Sequence, residues 1–202
     1  MKEKIGSIVL AAGGARRLGR PKMLVRLPNG KTVIRHVVDI VLESGLSPVI
    51  VVLGKSSETV IPELKGLACR VVINKRWEDG MSTSLQTGLQ NLDQECRACV
   101  VVLGDQPFQT PELMQALVDR YTECGAPIVY PTVDGQHANP VLLDRITFSA
   151  LNQLTGDVGA RKIFSAYKTC ALPWHDERLP FDLDTETDVR RAQSLMHDDL
   201  LK

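Results

Sequence analysis

Residues 8–22 read IVLAAGGARRLGRPK, and this stretch decides both the fold and the site that the sequence predicts. It begins with a short apolar run, which is typical of a buried strand. The run ends at Gly13 and Gly14, where a backbone without Cβ atoms can turn sharply and leave its N–H groups free for a ligand. The cations on the loop that follows are Arg16, Arg17, Arg20 and Lys22. A strand that ends in such a loop favours the binding of a polyanion such as a triphosphate.

Two common phosphate-binding motifs are absent from this loop. Gly14 and Gly19 have the spacing of a P-loop, but Arg20 and Pro21 stand where that motif has Lys and Ser or Thr. Pro21 has no N–H to donate and no hydroxyl for a metal ion. The dinucleotide fingerprint G-x-G-x-x-G is missing as well. The loop therefore predicts another class of phosphate site, and the alternative is a basic surface loop after a core strand.

The composition narrows the class of protein. A chain of 202 residues with 44% hydrophobic residues favours one domain, spanning residues 1–202, with a sizeable core. The formal net charge is zero and the pI is near 6.9, which argues against a nucleic acid or an anionic membrane as a partner. No apolar run approaches the roughly twenty residues of a membrane span, and residues 1–4 lead into a strand without a signal-peptide core. The five scattered cysteines suit reduced thiols, so we expect a cytoplasmic protein.

Apolar runs and helical periodicities alternate along the chain and predict an α/β fold. Beyond the N-terminal strand, further strands are predicted at residues 48–53, 70–73, 98–103 and 127–131. Helices are predicted at residues 32–43, 56–64, 80–92 and 110–124, and Thr110 is the predicted N-cap of the last of them. Such short crossovers give a three-layer sandwich with a mostly parallel central sheet. Residues 135–180 break the alternation, and we expect them to cover the carboxyl edge of the sheet as part of the substrate site.

Carboxylates at two distant places in the sequence are candidates for a shared divalent cation. Asp105 directly follows a predicted strand, and ligands of open α/β sheets bind at the carboxyl ends of strands. Asp182 and Asp184 flank Leu183, so they point the same way if the segment is extended. Mg²⁺ takes hard oxygen ligands, and a protein carboxylate commonly shares the ion with the phosphates of a substrate. We predict a magnesium site at Asp105 and Asp184, with Asp182 as the alternative to Asp184 and a solvated acidic turn as the rival interpretation.

A polar cluster begins the predicted helix at residues 80–92. Gly80, Met81 and Ser82 stand at its N-terminus, where free N–H groups and a hydroxyl suit a phosphate or the edge of a base. Ser84 belongs to the same cluster. The alternative is ordinary helix capping, with Trp77 in the core.

Two further segments are candidates for contacts to a second substrate. The segment GDVGAR at residues 156–161 opens a helix after a loop, and Arg161 is able to grip an anion. The segment HANP at residues 137–140 precedes an apolar strand. His137 and Asn139 are candidate substrate contacts, and a structural histidine is the alternative for His137.

These motifs resemble those of the MobA-like nucleotidyltransferases, and among them the molybdenum cofactor cytidylyltransferases most closely. The resemblance covers nearly the whole chain. The motifs that carry it are LAAG at 10–13 together with Arg17, Gly19 and Lys22, the segment from Asn74 to Leu85, GDQP at 104–107, NPV at 139–141, GDVGAR at 156–161 and DLDT at 182–185. It implies a Rossmann-like fold and the Mg²⁺-dependent transfer of CMP from CTP to the molybdenum cofactor, with release of pyrophosphate. A molybdoenzyme of the xanthine dehydrogenase type would receive the product.

The resemblance also implies roles for individual residues. Arg17 and Lys22 would hold the triphosphate and form the catalytic set together with Asp105, while Asp105 and Asp184 would hold Mg²⁺. Nucleotide binding is expected from Leu10, Ala11, Ala12, Gly13, Gly14, Arg17, Lys22, Gly80, Ser82 and Ser84. Contacts to the acceptor are expected from Met81, His137, Asn139, Pro140, Asp157 and Arg161.

Other functions fit parts of the same pattern. Ala12 is shared with other cytidylyltransferases, whereas guanylyl relatives tend to have glycine there, so the expected preference for CTP over GTP rests on one residue. A sugar phosphate or a polyol phosphate is the alternative acceptor. A non-catalytic carrier of the molybdenum cofactor is the rival from another class, and it has no need of Arg17 and Lys22 together with two metal carboxylates.

Overall fold

The computed structural model describes residues 3–14 and 18–200, with side chains up to residue 198. Arg16 and Arg17 of the glycine-rich loop lie outside the described residues. The described chain forms an eight-stranded sheet with an apolar core on each face, so the predicted three-layer α/β architecture is confirmed. No helix within the described part of the chain has both the length and the apolar character to cross a membrane.

The sheet is mostly parallel and combines parallel with antiparallel strands. Its strands are β1 (Ile5–Ala11), β2 (Val49–Leu53), β3 (Arg70–Ile73), β4 (Ala98–Leu103), β5 (Ile128–Val133), β6 (Gln136–His137), β7 (Val141–Asp144) and β8 (Thr169–Pro173). They are ordered β3-β2-β1-β4-β7-β5-β6, and β8 also pairs with β5. β3, β2, β1 and β4 run parallel, whereas β7 is antiparallel to both β4 and β5.

The strand order brings two sequence-distant loops to one point of the sheet edge. β1 and β4 are neighbours, with Leu10 opposite Leu103, although the chain builds β2 and β3 between them. The N–H of Gly104 donates to the carbonyl of Leu10 over 2.9 Å, just where both strands end. The order of strands reverses at β1, and such a switch point leaves a crevice outside the carboxyl ends of the strands.

Helices cover both faces of the sheet. They are α1 (Val33–Glu43), α2 (Ser57–Val60), α3 (Met81–Gln90), α4 (Pro111–Cys124), α5 (Phe148–Leu151) and α6 (Glu186–Leu200). Because successive strand residues point to opposite faces, Val9 packs in the core with α1 and α4, and Ile8 packs in the core with α3 and α5. The predicted cap of α4 is confirmed, since Oγ1 of Thr110 accepts a hydrogen bond from the N–H of Leu113 over 3.2 Å.

Residues 135–180 depart from the prediction that they cover the carboxyl edge of the sheet. They supply β6, β7 and β8, and β7 is inserted between β4 and β5. All four residues of β7 are buried, because a central strand is covered on both faces. Asp157 is the described residue of this segment that lines the main cleft, so only part of the expectation holds.

A smaller apolar cluster fixes α6 against the loops at the carboxyl edge. Its buried members are Leu18, Val25, Leu27, Val33, Phe108, Leu183, Val189 and Ala192. These residues come from the segments that carry Lys22, Asp105 and Asp184. The cluster therefore holds three distant parts of the chain in one place.

Gly88 allows α3 to lie close against β1, which gives a test of this packing. A Cβ atom at Gly88 would lie 2.4 Å from Cγ2 of Ile8. We expect Gly88→Ala to lower the free energy of unfolding by about 1–3 kcal/mol, because overpacking outweighs the gain of about 1 kcal/mol in helix propensity. Urea unfolding followed by circular dichroism measures the change.

The pair Gly88→Ala and Ile8→Ala provides the control. If the clash is the cause, the double variant loses less stability than the sum of the two single variants. The exposed substitution Gln90→Ala on the same helix should change stability little. A Gly88→Ala protein as stable as wild type would show that α3 can move away from β1.

Candidate active site

A cleft of about 640 Å³ opens at the carboxyl ends of β1 and β4. Its volume lies within the range of roughly 300–1,000 Å³ that is usual for small-molecule sites. The predicted site residues that line it are Leu10, Ala12, Gly13, Gly14, Lys22, Gly80, Met81, Ser84, Asp105, Asp157 and Asp184. Most of the predicted nucleotide and metal residues are thus brought together at the predicted edge of the sheet.

The glycine-rich turn forms one wall of the cleft. Gly13 is exposed, and a Cβ atom there would meet nothing within 4 Å, so its backbone is open to a ligand. Gly14 lies against the half-buried indole of Trp77, and a Cβ atom at Gly14 would stand 3.2 Å from Cζ3 of that ring. Ala12 is buried and also contributes to the wall, whereas Ala11 packs into the core instead.

The cations of the loop separate in the structure. Lys22 begins a short 3₁₀ turn, Lys22–Leu24, and lines the cleft. Arg20 turns to the surface, where its guanidinium pairs with Glu186 at 2.8 Å. Arg17, predicted to bind the triphosphate, lies outside the described residues. Lys22 is therefore the described loop cation that reaches the cleft.

The ammonium of Lys22 joins the two predicted metal ligands. Its Nζ donates to Oδ2 of Asp105 and lies 3.3 Å from Oδ1 of Asp184. The side chains of Lys22 and Asp105 are 14% and 17% exposed, so this ion pair is largely shielded from water, while Asp184 is 41% exposed. The two aspartates, separated by 79 positions in the sequence, converge as predicted.

The pKa of Lys22 reports the balance of charge at this point. Burial acts to lower it, but the charges and hydrogen bonds of Asp105 and Asp184 act in the opposite direction and leave the pKa raised. Lys22 is therefore a permanent cation at neutral pH. It neutralises part of the repulsion between the two carboxylates.

Asp182 takes a different partner from Asp184. Its Oδ1 accepts a hydrogen bond from Nε2 of Gln106 over 2.9 Å, and Asp182 also lines the cleft. Desolvation of the carboxyl and the charges of Asp105 and Asp184 raise the pKa of Asp182, although the hydrogen bond from Gln106 acts to lower it. The N–H of Leu183 donates to the carbonyl of Asp105 over 3.2 Å and ties the two acidic segments together.

The N-terminus of α3 forms the opposite wall and is closed by the chain itself. The N–H of Met81 donates to Oδ1 of Asp157 over 3.3 Å, and the hydroxyl of Ser82 donates to the carbonyl of Gly156 over 2.8 Å. Gly80 makes this closure possible, because its φ is +107° and a Cβ atom would lie 2.3 Å from the carbonyl carbon of Gly156. Ser82 is fully buried and lies outside the described lining of the main cleft.

Asn74 holds the N-terminal turn of α3 in place through hydrogen bonds of its side-chain amide. It is 3% exposed, and its Nδ2 donates to Oγ1 of Thr83 at 2.8 Å and to Oγ of Ser84 at 3.0 Å. Its Oδ1 accepts from the N–H of Arg76 at 2.9 Å. One buried amide therefore positions the first turn of α3, including Ser84, which lines the cleft.

The lining of the cleft is more acidic than the sequence predicted. Among the described residues, Lys22 is the one lysine or arginine in the lining, against the six acids Glu78, Asp79, Asp105, Asp157, Asp182 and Asp184. No sequence motif singled out Glu78 and Asp79, although they directly precede Gly80, a predicted site residue. Gln106 was also given no role, although it stands next to Asp105 in the sequence.

The remaining predicted contacts to the acceptor form a second group outside the described lining of the cleft. The ring of His137 stacks on Tyr130 with a centroid distance of 3.9 Å and lies 4.8 Å from the ring of Phe164. Burial first, and then the charge of Arg161, lower the pKa of His137 to about 4. Asn139 and Pro140 follow in the same segment, between β6 and β7. The ring contacts suit a structural histidine, whereas Nε2 of His137 is buried without a hydrogen-bond partner among the described residues, as expected of a substrate contact.

The donor set for a cation consists of two converging carboxylates. Within residues 3–14 and 18–200, no group of three or more His, Cys, Asp and Glu side chains is arranged to hold a metal ion. Mg²⁺ is commonly bound by one or two carboxylates together with substrate phosphates, so Asp105 and Asp184 fit such an ion if a phosphate supplies the remaining ligands.

Residues 7–171 match the family model described as the MobA-like NTP transferase domain. Nicotine blue oxidoreductase of Paenarthrobacter nicotinovorans is 27% identical over 201 residues, which are 93% of this chain and 95% of that protein. A protein of Natranaerobius thermophilus named "probable molybdenum cofactor guanylyltransferase" is 27% identical over 139 residues, which cover 68% of this chain and 64% of that protein.

Solved structures share the whole architecture. Rv0371c from Mycobacterium tuberculosis H37Rv superimposes with a TM-score of 0.86 at 26% identity, covering 96% of this chain and 100% of that chain. A complex of the same protein with manganese has a TM-score of 0.82 at 25% identity and covers 95% of this chain and 98% of that chain. A divalent metal is therefore found in a relative with the same fold.

The environment of His137 predicts an acid-dependent loss of stability. The unfolded chain takes up a proton at this residue below the ordinary pKa of 6.5, whereas the folded ring does so only near pH 4. Protonation therefore favours the unfolded chain as the pH falls. After allowance for partial exposure, we expect wild type to lose about 1 kcal/mol more than His137→Phe between pH 7 and pH 5.

Urea unfolding at several pH values measures this difference. His137→Phe keeps an aromatic ring against Tyr130 and removes the titrating group. The exposed substitution His197→Gln should leave the behaviour of wild type unchanged. Parallel pH profiles for wild type and His137→Phe would show that the ring is not held in the neutral form.

Proposed function

This chain belongs to the MobA-like NTP transferase family, and on that premise we propose that it transfers CMP from CTP to the molybdenum cofactor and releases pyrophosphate. Membership places the chain in a family of nucleotidyltransferases, and the proposal concerns its reaction, the nucleotide and the acceptor. The observation that carries the proposal is the convergence of Lys22, Asp105 and Asp184 at the carboxyl ends of β1 and β4. The relative named "probable molybdenum cofactor guanylyltransferase" supports the acceptor.

The chemistry to be catalysed is a direct transfer between two anions. An oxygen of the acceptor phosphate forms a bond to the α-phosphorus of CTP, the bond from that phosphorus to the bridging oxygen breaks, and pyrophosphate leaves with the electron pair. Repulsion between the phosphates is the main barrier, so the protein contributes positive charge and alignment. The proposal needs no protein nucleophile.

In this proposal Lys22 binds the triphosphate and stabilises the charge that develops on the leaving pyrophosphate. The backbone of Gly13, which is open to a ligand, contributes its N–H as a hydrogen-bond donor to the phosphates. Arg17 follows on the same loop and is assigned the same role by the family resemblance. Asp105 and Asp184 hold Mg²⁺, which supplies charge neutralisation at the phosphate oxygens when bound.

The two ends of the cleft are assigned to different parts of the substrates. We assign the base of the nucleotide to the wall formed by Leu10 and Ala12, and the preference for CTP rests on Ala12, where guanylyl relatives tend to have glycine. Met81 and Asp157 on the opposite wall are assigned to the acceptor. His137 and Arg161 would touch only an acceptor that extends beyond the cleft. The product would pass to a molybdoenzyme of the xanthine dehydrogenase type, in the cytoplasm.

An oxidoreductase is the second candidate, because the relative with that name covers 93% of this chain. That function would change the oxidation state of a substrate without releasing pyrophosphate from a nucleotide. The production of pyrophosphate therefore separates the two candidates.

Incubation of the protein with Mg²⁺, the molybdenum cofactor and one of CTP, GTP or ATP tests the proposed function. We expect pyrophosphate and a cytosine dinucleotide, detected by mass spectrometry, with CTP only. Asp105→Asn should lower the rate by at least about a hundredfold, because the site loses a carboxylate that would hold Mg²⁺ and with it the positive charge at the phosphates. Asp119→Asn, at an exposed position on α4, is the matched control and should act like wild type.

The outcomes of this assay distinguish the parts of the proposal. A guanine dinucleotide would correct the base and keep the acceptor. Pyrophosphate release only with a sugar phosphate or a polyol phosphate would correct the acceptor. Binding of the cofactor without consumption of any nucleotide would favour a carrier and contradict the proposed transfer.

The ion pair of Lys22 gives a test of the metal site that does not depend on activity. If Asp105 and Asp184 are the metal ligands, the ammonium between them competes with the cation. We expect Lys22→Met to bind Mn²⁺ at least about tenfold more tightly than wild type without nucleotide, because a like charge has been removed. Electron paramagnetic resonance of free Mn²⁺ measures the affinity, and Lys31→Met, away from the cleft, is the control.

Weaker or unchanged Mn²⁺ binding by Lys22→Met would contradict this assignment of the carboxylates. A second variant, Lys22→Gln, guards against an effect of the methionine side chain itself. Both variants must show the circular dichroism of wild type for the comparison to count.

A further inference from the structure

A second pocket of about 250 Å³ lies beside the loop that carries Asp105. It is enclosed by α1, by the segment from Pro107 to Thr110 and by α6. Ile40, Pro107, Phe108 and Met196 give it a mainly apolar wall. It shares no described lining residue with the main cleft, so the proposed transfer reaction does not account for it.

The charged and titratable groups of this pocket are already occupied. The guanidinium of Arg178 is held by Asp176 through two bonds of 2.8 Å and lies 5.2 Å from the ring centre of Phe108. Nε2 of His36 is 3.0 Å from the carbonyl of Pro107, which can only accept, so this nitrogen carries the proton. Nδ1 of His36 then accepts from the amide of Asn29 at 3.2 Å. A neutral ligand fits these walls better than an anion.

One buried polar atom of the pocket is left without a partner. Gln109 lines the pocket and is 2% exposed, yet its Oε1 has no hydrogen-bond partner among the described residues. A buried amide oxygen without a partner costs free energy that a hydrogen-bond donor would recover. The other end of the same amide is bonded, since Nε2 of Gln109 donates to Oε1 of Gln106 over 3.3 Å.

A carboxylate in the main cleft determines which atoms of Gln106 and Gln109 donate and which accept. The carboxylate of Asp182 accepts from Nε2 of Gln106, which leaves Oε1 of Gln106 as an acceptor. Gln109 must then donate its N–H to Gln106, which leaves its Oε1 as an unpartnered acceptor on a residue that lines the pocket. The acceptor at the second pocket is therefore fixed by a carboxylate that lines the first.

We propose that this pocket is a second ligand site for a small neutral aromatic molecule with an N–H or O–H donor, and that the chain Gln109–Gln106–Asp182 links its occupancy to the cleft. The ring packs against Phe108, Ile40 and Met196, and the donor bonds Oε1 of Gln109. Binding then orders both amides and the carboxylate of Asp182. The site does not depend on which nucleotide or acceptor the cleft takes.

Phenol and toluene are the probes, because they match in shape and differ in one donor. Binding to the full-length protein is followed by NMR of the methyl groups of Met196 and Ile40 and of the side-chain amides of Gln106 and Gln109. We expect phenol to bind wild type at least about tenfold more tightly than toluene, and to shift the amide signals of Gln106. In Gln109→Leu this preference should disappear while toluene still binds.

Asp182→Ala tests the link without touching the pocket. Without the carboxylate the two amides are free to reverse, so the preference for phenol should fall several-fold, whereas Asp119→Ala on the exposed face of α4 should leave it unchanged. Equal binding of phenol and toluene to wild type, or no binding of either, overturns the ligand site. A preference that survives in Asp182→Ala overturns the link to the cleft. All these readouts are independent of nucleotidyl transfer, so they stand apart from a failure of the proposed function.

Discussion

The contact of one ammonium with two carboxylates is the constraint on which the cleft depends. Asp105 and Asp184 lie on separate segments, and both face the space beyond β1 and β4. Two carboxylates brought so close repel each other unless a cation lies between them. Lys22 provides that cation, and its raised pKa shows that the attraction exceeds the cost of its burial. The geometry of the cleft follows from this balance.

Apolar packing makes that contact possible. The cluster that includes Val25, Phe108 and Leu183 places the segments of Lys22, Asp105 and Asp184 against one another. The bond from the N–H of Leu183 to the carbonyl of Asp105 sets their register. An ion pair of this kind adds little net stability, because the loss of hydration offsets much of the Coulomb attraction. Its position in a cleft is thus better explained by the charges of a ligand than by the stability of the fold.

Local sequence patterns predicted the parts of the structure that depend on local physics. The apolar runs of β1, β2 and β4, and the capping of α4, follow from periodicity and from single residues such as Thr110. The insertion of β7 did not follow, because a four-residue apolar run has no direction and its neighbours are chosen by the whole sheet. The hydrogen bond from the N–H of Met81 at the N-terminus of α3 to Asp157 was also not predictable from local sequence, since it joins residues 76 positions apart.

The same contrast between local patterns and distant contacts applies to the site, and it explains which site residues were predicted and which were missed. Residues chosen for their chemistry at strand ends, such as Asp105, were found in the cleft because topology brings strand ends together. Glu78 and Asp79 were missed because a charged pair before a helix is usually a solvated face. Their presence makes the described lining strongly acidic, which disfavours the entry of a free triphosphate. On the proposed function, a nucleotide that arrives with its divalent cation brings the charge that these carboxylates need, and the acidic lining then selects the metal complex over the bare anion.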